Sequence, residues 1–136
     1  MADFRNDANS FANIPMLELL GIKLEMMKPG YALLSMPFDE KITQPYQIVH
    51  GGALFTLADS AIAAAIFPLS REGQHFLTVE MKINFLEPVA GGLIEARASV
   101  LRQGRIIPAE AELINQGRLV AKALATYIIV DDRKKG

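Results

Sequence analysis

The residues able to do chemistry converge on one stretch, HGGALFTLADSA, running from His50 to Ala61. Between Ile42 and Ser70, Asp59 is the only residue charged at neutral pH, and only His50 could join it. Carboxylates are seldom fully buried without a partner or a task. Gly51 and Gly52 let a ligand or another backbone approach closely. If a helix begins there, its first-turn N–H groups are unpaired, and with the positive end of the helix dipole they favour a negatively charged oxygen. Gln44, Tyr46, Gln47 and His50 add polar groups at the entrance. Each has a plain structural reading when taken singly: an Asp paired with an Arg, a His bonded to backbone, glycines at a tight junction. The combination, in this order, is what points to chemistry.

Spacing decides how the parts combine. Asp59 lies eight residues beyond Gly51, about 12 Å along a helix axis at 1.5 Å per residue. A nucleophile or general base must lie within about 3 Å of what it acts on. Asp59 and Gly51 of one chain therefore cannot serve the same carbonyl. Two such helices running antiparallel across a dimer can, each lending its Asp to the other's glycine amides. The sequence thus implies a homodimer with a shared site.

The elements that must position these groups follow from hydrophobic periodicity. Ile14, Leu17 and Leu20 fit a short helix stopped by Gly21. Ile22, Leu24 and Met26 alternate with polar or outward residues, and Pro29-Gly30 supplies turn chemistry, so a β-hairpin is expected over IKLEMMK and YALLSMPFDE. From Gly51 to about Ile66 the pattern is apolar nearly all round, as in a buried helix, and Pro68 lies just beyond it. Leu77, Val79, Met81, Ile83 and Phe85 then alternate strictly with Thr78, Glu80, Lys82 and Asn84. Three more strands follow, with VAGG, RQGR and NQGR as glycine-bearing separators of hairpin length. Pro108 within the third of these four runs suits an edge or a bulge. The six methionines read as core filler.

The expected architecture is α+β: a curved antiparallel sheet wrapped around one long central helix, as a single domain over residues 1–136. Residues 1–13 read as a loose polar lead-in and 131–136 as a frayed tail. Val120, Leu124, Ile128 and Val130 lie opposite Ala121, Ala125 and Tyr127 on the last strand, which is therefore apolar on both faces. A strand of that kind must be covered twice, which again implies a subunit interface.

Composition excludes several functions. The chain has 136 residues, 51% hydrophobic and 21% charged, with net charge −1, so it carries no basic surplus for a nucleic-acid partner. With no cysteine there is no disulfide framework, cysteine nucleophile or thiolate site. His50 and His75 are the only histidines, too few for a multi-histidine metal centre. No GxSxG, HExxH or GxxxxGK[ST] motif is present. The polar N-terminus does not resemble a targeting peptide. Asp59 interrupts the longest apolar run before the roughly 18–20 residues of a bilayer span, so a soluble cytoplasmic protein that contacts no membrane is expected.

IVHGGALFTLADSAIAAA resembles the signature of the HGG-type hotdog-fold acyl-CoA thioesterases, the group that includes the phenylacetate-pathway (PaaI-like) and hydroxybenzoyl-CoA enzymes. The resemblance covers residues from about 15 to 130. It implies the hotdog fold, subunits paired into a continuous sheet, dimers that often pair again into tetramers, and acyl-CoA as substrate without a separate cofactor. By resemblance, the Gly51 N–H is the oxyanion donor to the thioester carbonyl, with Gly52 beside it. Asp59 from the opposite subunit is the nucleophile or the general base for water, and His50 helps hold the thioester end. Gln44 stands where many members have Asn and would orient a water or the carboxylate. Thr78 falls where members carry Ser or Thr close to the acid. Tyr46, Phe55 and Ile62 would wall the acyl pocket. Arg102, Arg105 and Lys122 are candidates for the coenzyme A phosphates, and each also reads as a solvated charge at a strand end.

A thioester carbonyl is electrophilic and needs no metal, and one well-placed oxyanion donor is worth about 2.7–4 kcal/mol in the transition state. Alternative readings are a hotdog dehydratase acting on hydroxyacyl thioesters, a non-catalytic acyl-CoA-binding hotdog module, and a structural dimer in which Asp59 only supports folding.

Overall fold

A computed structural model describes residue 11 and residues 13–132. The expected lead-in and tail fall largely outside that range. Of the lead-in, Phe11 is buried with its ring edge-on to Phe67 at 5.5 Å. Of the tail, Asp131 still belongs to a strand.

Helix α1 (Pro15–Leu20) starts on a proline and closes on Gly21, whose left-handed φ of 74° turns its N–H back onto the Leu17 and Glu18 carbonyls. Strands β1 (Lys23–Lys28) and β2 (Tyr31–Pro37) form the expected hairpin, with Gly30 at φ 82° in the turn. Helix α2 (Gly51–Ile66) is followed by β3 (Gln74–Phe85), β4 (Leu93–Val100), β5 (Ile106–Asn115) and β6 (Arg118–Asp131). The six strands make one antiparallel sheet in the order β1-β2-β4-β5-β6-β3. Every strand contacts α2, most closely β2, β4 and β5. The inner face of the sheet is alanine-rich at Ala96, Ala98, Ala109, Ala111, Ala121, Ala123 and Ala125, all buried. Those small residues meet the buried alanines Ala58, Ala61, Ala64 and Ala65 of α2, which lets a tightly curved sheet close onto the helix. Leu57, Ile62 and Ile66, wholly buried, fill the remaining volume. Such a side chain stabilises the fold by roughly 1.5–3 kcal/mol.

Three expectations are corrected. First, the VAGG separator does not close a hairpin. β3 pairs with β6, whereas β4 pairs with β2 and β5, so residues 86–92 cross between opposite parts of the sheet. A glycine turn reverses the chain without specifying the next pairing partner. Second, the alternation along β3 is broken by a bulge at Val79, between Thr78 paired with Tyr127 and Glu80 paired with Thr126. Phe76 and Thr78 therefore share the helix-facing side with Met81 and Ile83, while Leu77 is 53% exposed. Third, Gly51–Leu69 does reach the length and mean hydropathy (1.7 over its most apolar window) of a membrane span. More than half of that window is buried within the sheet, as in the core helix of a globular domain.

Val120 is also displaced, to 1% exposure, because it occupies an irregularity in β6 and its carbonyl accepts from both Leu86 and Glu87 N–H. Leu124, with 54% of its surface exposed, stays on the outer face. Pro108 sits in an internal strand, but its carbonyl accepts from Leu101 N–H, just past the end of β4 at Val100. Its missing N–H falls where the ladder has already ended.

Candidate active site

Helix α2 is covered on every side except one stripe. Gly52, Phe55, Thr56, Asp59, Ser60 and Ala63 are exposed or half-buried at three- and four-residue spacing, while the positions between them are buried. Asp59 lies on that stripe, so it is a half-buried carboxylate at the rim of the core. The loop entering α2 is pinned by backbone bonds from His50 to Ile42 and from Val49 to Val89, at 2.8 and 2.9 Å.

His50 takes the N-cap position. Its Nδ1 accepts from Gly52 N–H at 2.8 Å. That bond satisfies one orphan amide of the first turn and leaves the ring proton on Nε2 when the imidazole is neutral. Gly51 N–H, by contrast, has no acceptor among the described residues. Gly51 lines a groove of about 340 Å³ together with Gln44, Ile48, Val49, Leu54, Phe85 and Val89 among others. The Phe85 ring lies against Gly51 so closely that an added Cβ would meet its Cζ at 3.1 Å. A side chain at position 51 would have to displace that ring by a few tenths of an ångström. The Gln44 carboxamide also accepts from Tyr46 N–H, which holds the turn together.

At Asp59 the sheet delivers two hydroxyls. Thr78 Oγ1 donates to Oδ1 at 3.2 Å, and it points there because the Val79 bulge brings it to the helix side. Tyr127 OH, on the adjoining position of β6, also donates to Oδ1 and lies 3.0 Å from the Asp59 main-chain oxygen. Tyr127 is 1% exposed, with Phe76 packed beside its ring. Burial first, then the Asp59 charge and the bond to it, push its phenol well above the usual range, against a smaller opposing effect of a hydrogen bond with Thr78. Sequence reasoning placed Tyr127 on the correct face of its strand but gave it no role. Its contact with Asp59 spans 68 positions of chain, so no local pattern exposes it.

The anticipated residues thus fall into groups. Asp59 and Thr78 meet at mid-helix, and Gly51 and Gln44 meet at the helix N-terminus beside Phe85, to which sequence reasoning gave no role. Tyr46, 85% exposed, projects outward, and Phe55 is 38% exposed on the open stripe. Ile62, expected as a pocket wall, is wholly buried between helix and sheet, because its position turns it away from that stripe. Lys122 is held by Glu110 at 3.6 Å and Glu112 at 3.7 Å. Arg102 lies in the β4–β5 turn, and Arg105 lines a groove with Leu69, Arg71 and Gln103 beyond the C-terminal end of α2. Neither joins the Gly51 or the Asp59 cluster. Among the described residues, no group of three or more His, Cys, Asp or Glu is placed to hold a metal.

The family described as the thioesterase superfamily matches residues 46–122, more than half of the chain, with Gln44 and Tyr127 outside the matched stretch. The chain belongs to that superfamily. A putative esterase of Saccharolobus solfataricus is 32% identical over 112 residues, covering 81% of this chain and 74% of the relative. The acyl-coenzyme A thioesterase PaaI of Escherichia coli is 32% identical over 103 residues, covering 75% and 71%. A solved thioesterase family protein from Silicibacter pomeroyi superposes with a TM-score of 0.84 at 36% identity, covering 90% of this chain and 94% of that one. The expected hotdog architecture and thioester-hydrolase class are thus borne out. In this thioesterase the HGG loop opens the wrapped helix, with the Asp eight residues on.

Two outcomes follow from the local geometry. His50→Ala removes the helix cap and lowers stability by about 0.5–2 kcal/mol in urea unfolding, whereas His50→Asn, which can still cap, retains most of it. The Tyr127 phenol releases its proton near pH 10 in the unfolded chain but well above that when folded. Its contribution to stability is therefore complete below pH 10 and is lost as pH rises further. Melting curves from pH 8 to 11 should fall more steeply for the wild type than for Tyr127→Phe.

Proposed function

We propose that this thioesterase hydrolyses acyl-CoA, R–CO–S–CoA, to the free acid and coenzyme A, with each active site shared between two subunits of a homodimer. The observation that carries the reading is the unpaired Gly51 amide on the same rigid helix as Asp59, about 12 Å from it. The amide of one subunit holds the oxyanion as it forms. The Asp59 carboxylate of the other supplies the electron pair, by attacking the carbonyl carbon or by taking the proton of a water that does. The C–S bond breaks, the thiolate is protonated, and one water is consumed overall. The carbonyl is electrophilic enough for this without a metal or cofactor.

The name of the Escherichia coli relative supports coenzyme A as the carrier. The mostly apolar groove beside Gly51, about 340 Å³, supports an aromatic or short-to-medium acyl group; a cavity of about 150 Å³ suffices for benzene. Gln44 orients the water or the carboxylate in this reading, and Phe85 walls the acyl group. The pairing of subunits is supported by β3, a 12-residue strand at the sheet edge with β6 as its one sheet neighbour. Two such edges side by side make a continuous sheet. The exposed Leu77, Ile106 and Leu124 support a second pairing, dimer on dimer. A cytoplasmic setting suits a cysteine-free enzyme acting on coenzyme A esters.

Thiol release from a panel of aromatic, short, medium and long acyl-CoAs tests the proposal. The wild type is expected to hydrolyse at least one class, and Asp59→Asn to lose at least about a hundredfold in kcat. A folded Asp59→Asn protein as fast as wild type would refute the assignment of Asp59, and binding without thiol release would refute the enzyme.

A further inference from the structure

We propose that Tyr127 is a positioning residue that commits Oδ1 of Asp59 to the protein and leaves Oδ2 as the oxygen that reacts. This rests on Asp59 being the reacting carboxylate. Tyr127 lies outside the stretch matched by the superfamily, residues 46–122.

A phenol carries one proton to donate. Tyr127 OH sits within hydrogen-bonding reach of two acceptors on one residue, the Asp59 main-chain oxygen at 3.0 Å and Oδ1. The charged oxygen is the stronger acceptor and takes the proton. That bond, made by a rigidly held hydroxyl beside the residue's own backbone, restricts how the side chain can turn about its first bond. Thr78 adds a second hydroxyl to the same oxygen from the strand next door.

Oδ2 is left differently. No donor among the described residues reaches it, and no buried side-chain oxygen lacks a partner, so Oδ2 is open to the outside. Asp59 thus has one oxygen turned to the core and one turned to the uncovered stripe of α2, where a substrate must come. The anchor is itself rigid: Tyr127 is 1% exposed, and Phe76 packs against it at 6.0 Å between ring centroids. Its phenol, held above the usual range, stays a donor throughout the pH range in which a thioesterase is assayed.

The experiment compares Tyr127→Phe, Thr78→Ala and the double variant with wild type. It reads kcat, KM and the dissociation constant of a non-hydrolysable thioether analogue of the best acyl-CoA. Tyr127→Phe keeps the ring and its packing. It is expected to lower kcat roughly 10- to 100-fold, the worth of a hydrogen bond to a charged group, with KM and analogue binding unchanged. Because both hydroxyls act through Oδ1, the double variant should lose less than the product of the single losses. Wild-type kcat in Tyr127→Phe overturns the proposal, and so does a parallel loss of kcat and analogue binding, which marks a merely structural role. Should Tyr127→Phe fail to fold, 3-fluorotyrosine placed at 127 keeps ring and bond while making the hydroxyl more acidic. It should then shift kcat with KM unchanged, and an unaltered kcat again overturns the proposal. The two readings fail separately. An active Asp59→Asn protein removes the basis at Asp59, whereas an inactive Asp59→Asn beside an unaffected Tyr127→Phe removes only the role of Tyr127.

Discussion

One rigid distance governs this molecule. Gly51 and Asp59 lie on a single uninterrupted helix, and eight residues of α-helix hold their backbones about 12 Å apart whatever the side chains do. An amide suited to an oxyanion and a carboxylate suited to attack therefore cannot close on one carbonyl within a chain. The sheet accounts for the rest. It curls around α2, buries the alanine and leucine positions, and leaves open one stripe that runs from Gly52 past Asp59 to Ala63. Asp59 is thereby presented on the open stripe, Gly51 is half-buried at the start of the same helix, and the edge strand β3 reaches both, through Thr78 and Phe85.

Placing a carboxylate at the rim of a core has a cost that the strands offset. Half-removed from water, Asp59 keeps two hydroxyl donors, one from β3 and one from β6. Only Tyr127 arrives by simple alternation. Thr78 faces the helix because Val79 is bulged out of the ladder, and Tyr127 reaches Asp59 because it is the cross-strand neighbour of Thr78. At the other end of the site, His50 satisfies the Gly52 amide and so leaves that of Gly51 for a ligand. Phe85 seals the same glycine from the side. Capping, bulge and close packing are ordinary devices of stability, and here each also touches a group on which the proposed chemistry depends.

Much of this was legible in the sequence because it depends on local period. The apolar run of α2, the Pro29-Gly30 hairpin and the HGG junction each rest on neighbouring residues. The Gly51-to-Asp59 distance is legible for the same reason. What was not legible depends on which strands meet. The VAGG turn looks like its two glycine-bearing counterparts but leads to a crossover, since pairing of β3 with β6 is settled by residues some forty positions away. The Val79 bulge lies within a run that alternates without fault in sequence, and only its register against β6 shows that Val79 is extra. Tyr127 was visible as an inward residue but not as the partner of Asp59, and Ile62 resembled a pocket wall until the helix was seen to turn it into the core. Lys122 looked like a free cation because Glu110 and Glu112 reach it from another strand.

The central claim, that one carbonyl is served by two chains, is tested most directly by mixing subunits. Asp59→Asn and Gly51→Val chains, each expected to form dimers without activity, are co-expressed with different tags and the mixed dimer isolated. In that dimer one site carries both substitutions, the valine side chain crowding the amide, while the other keeps the wild-type Asp59 of one chain and the wild-type Gly51 of its partner. The account predicts that activity returns, at about half the wild-type rate per dimer, one intact site of two. A mixed dimer as inactive as its parents would contradict it.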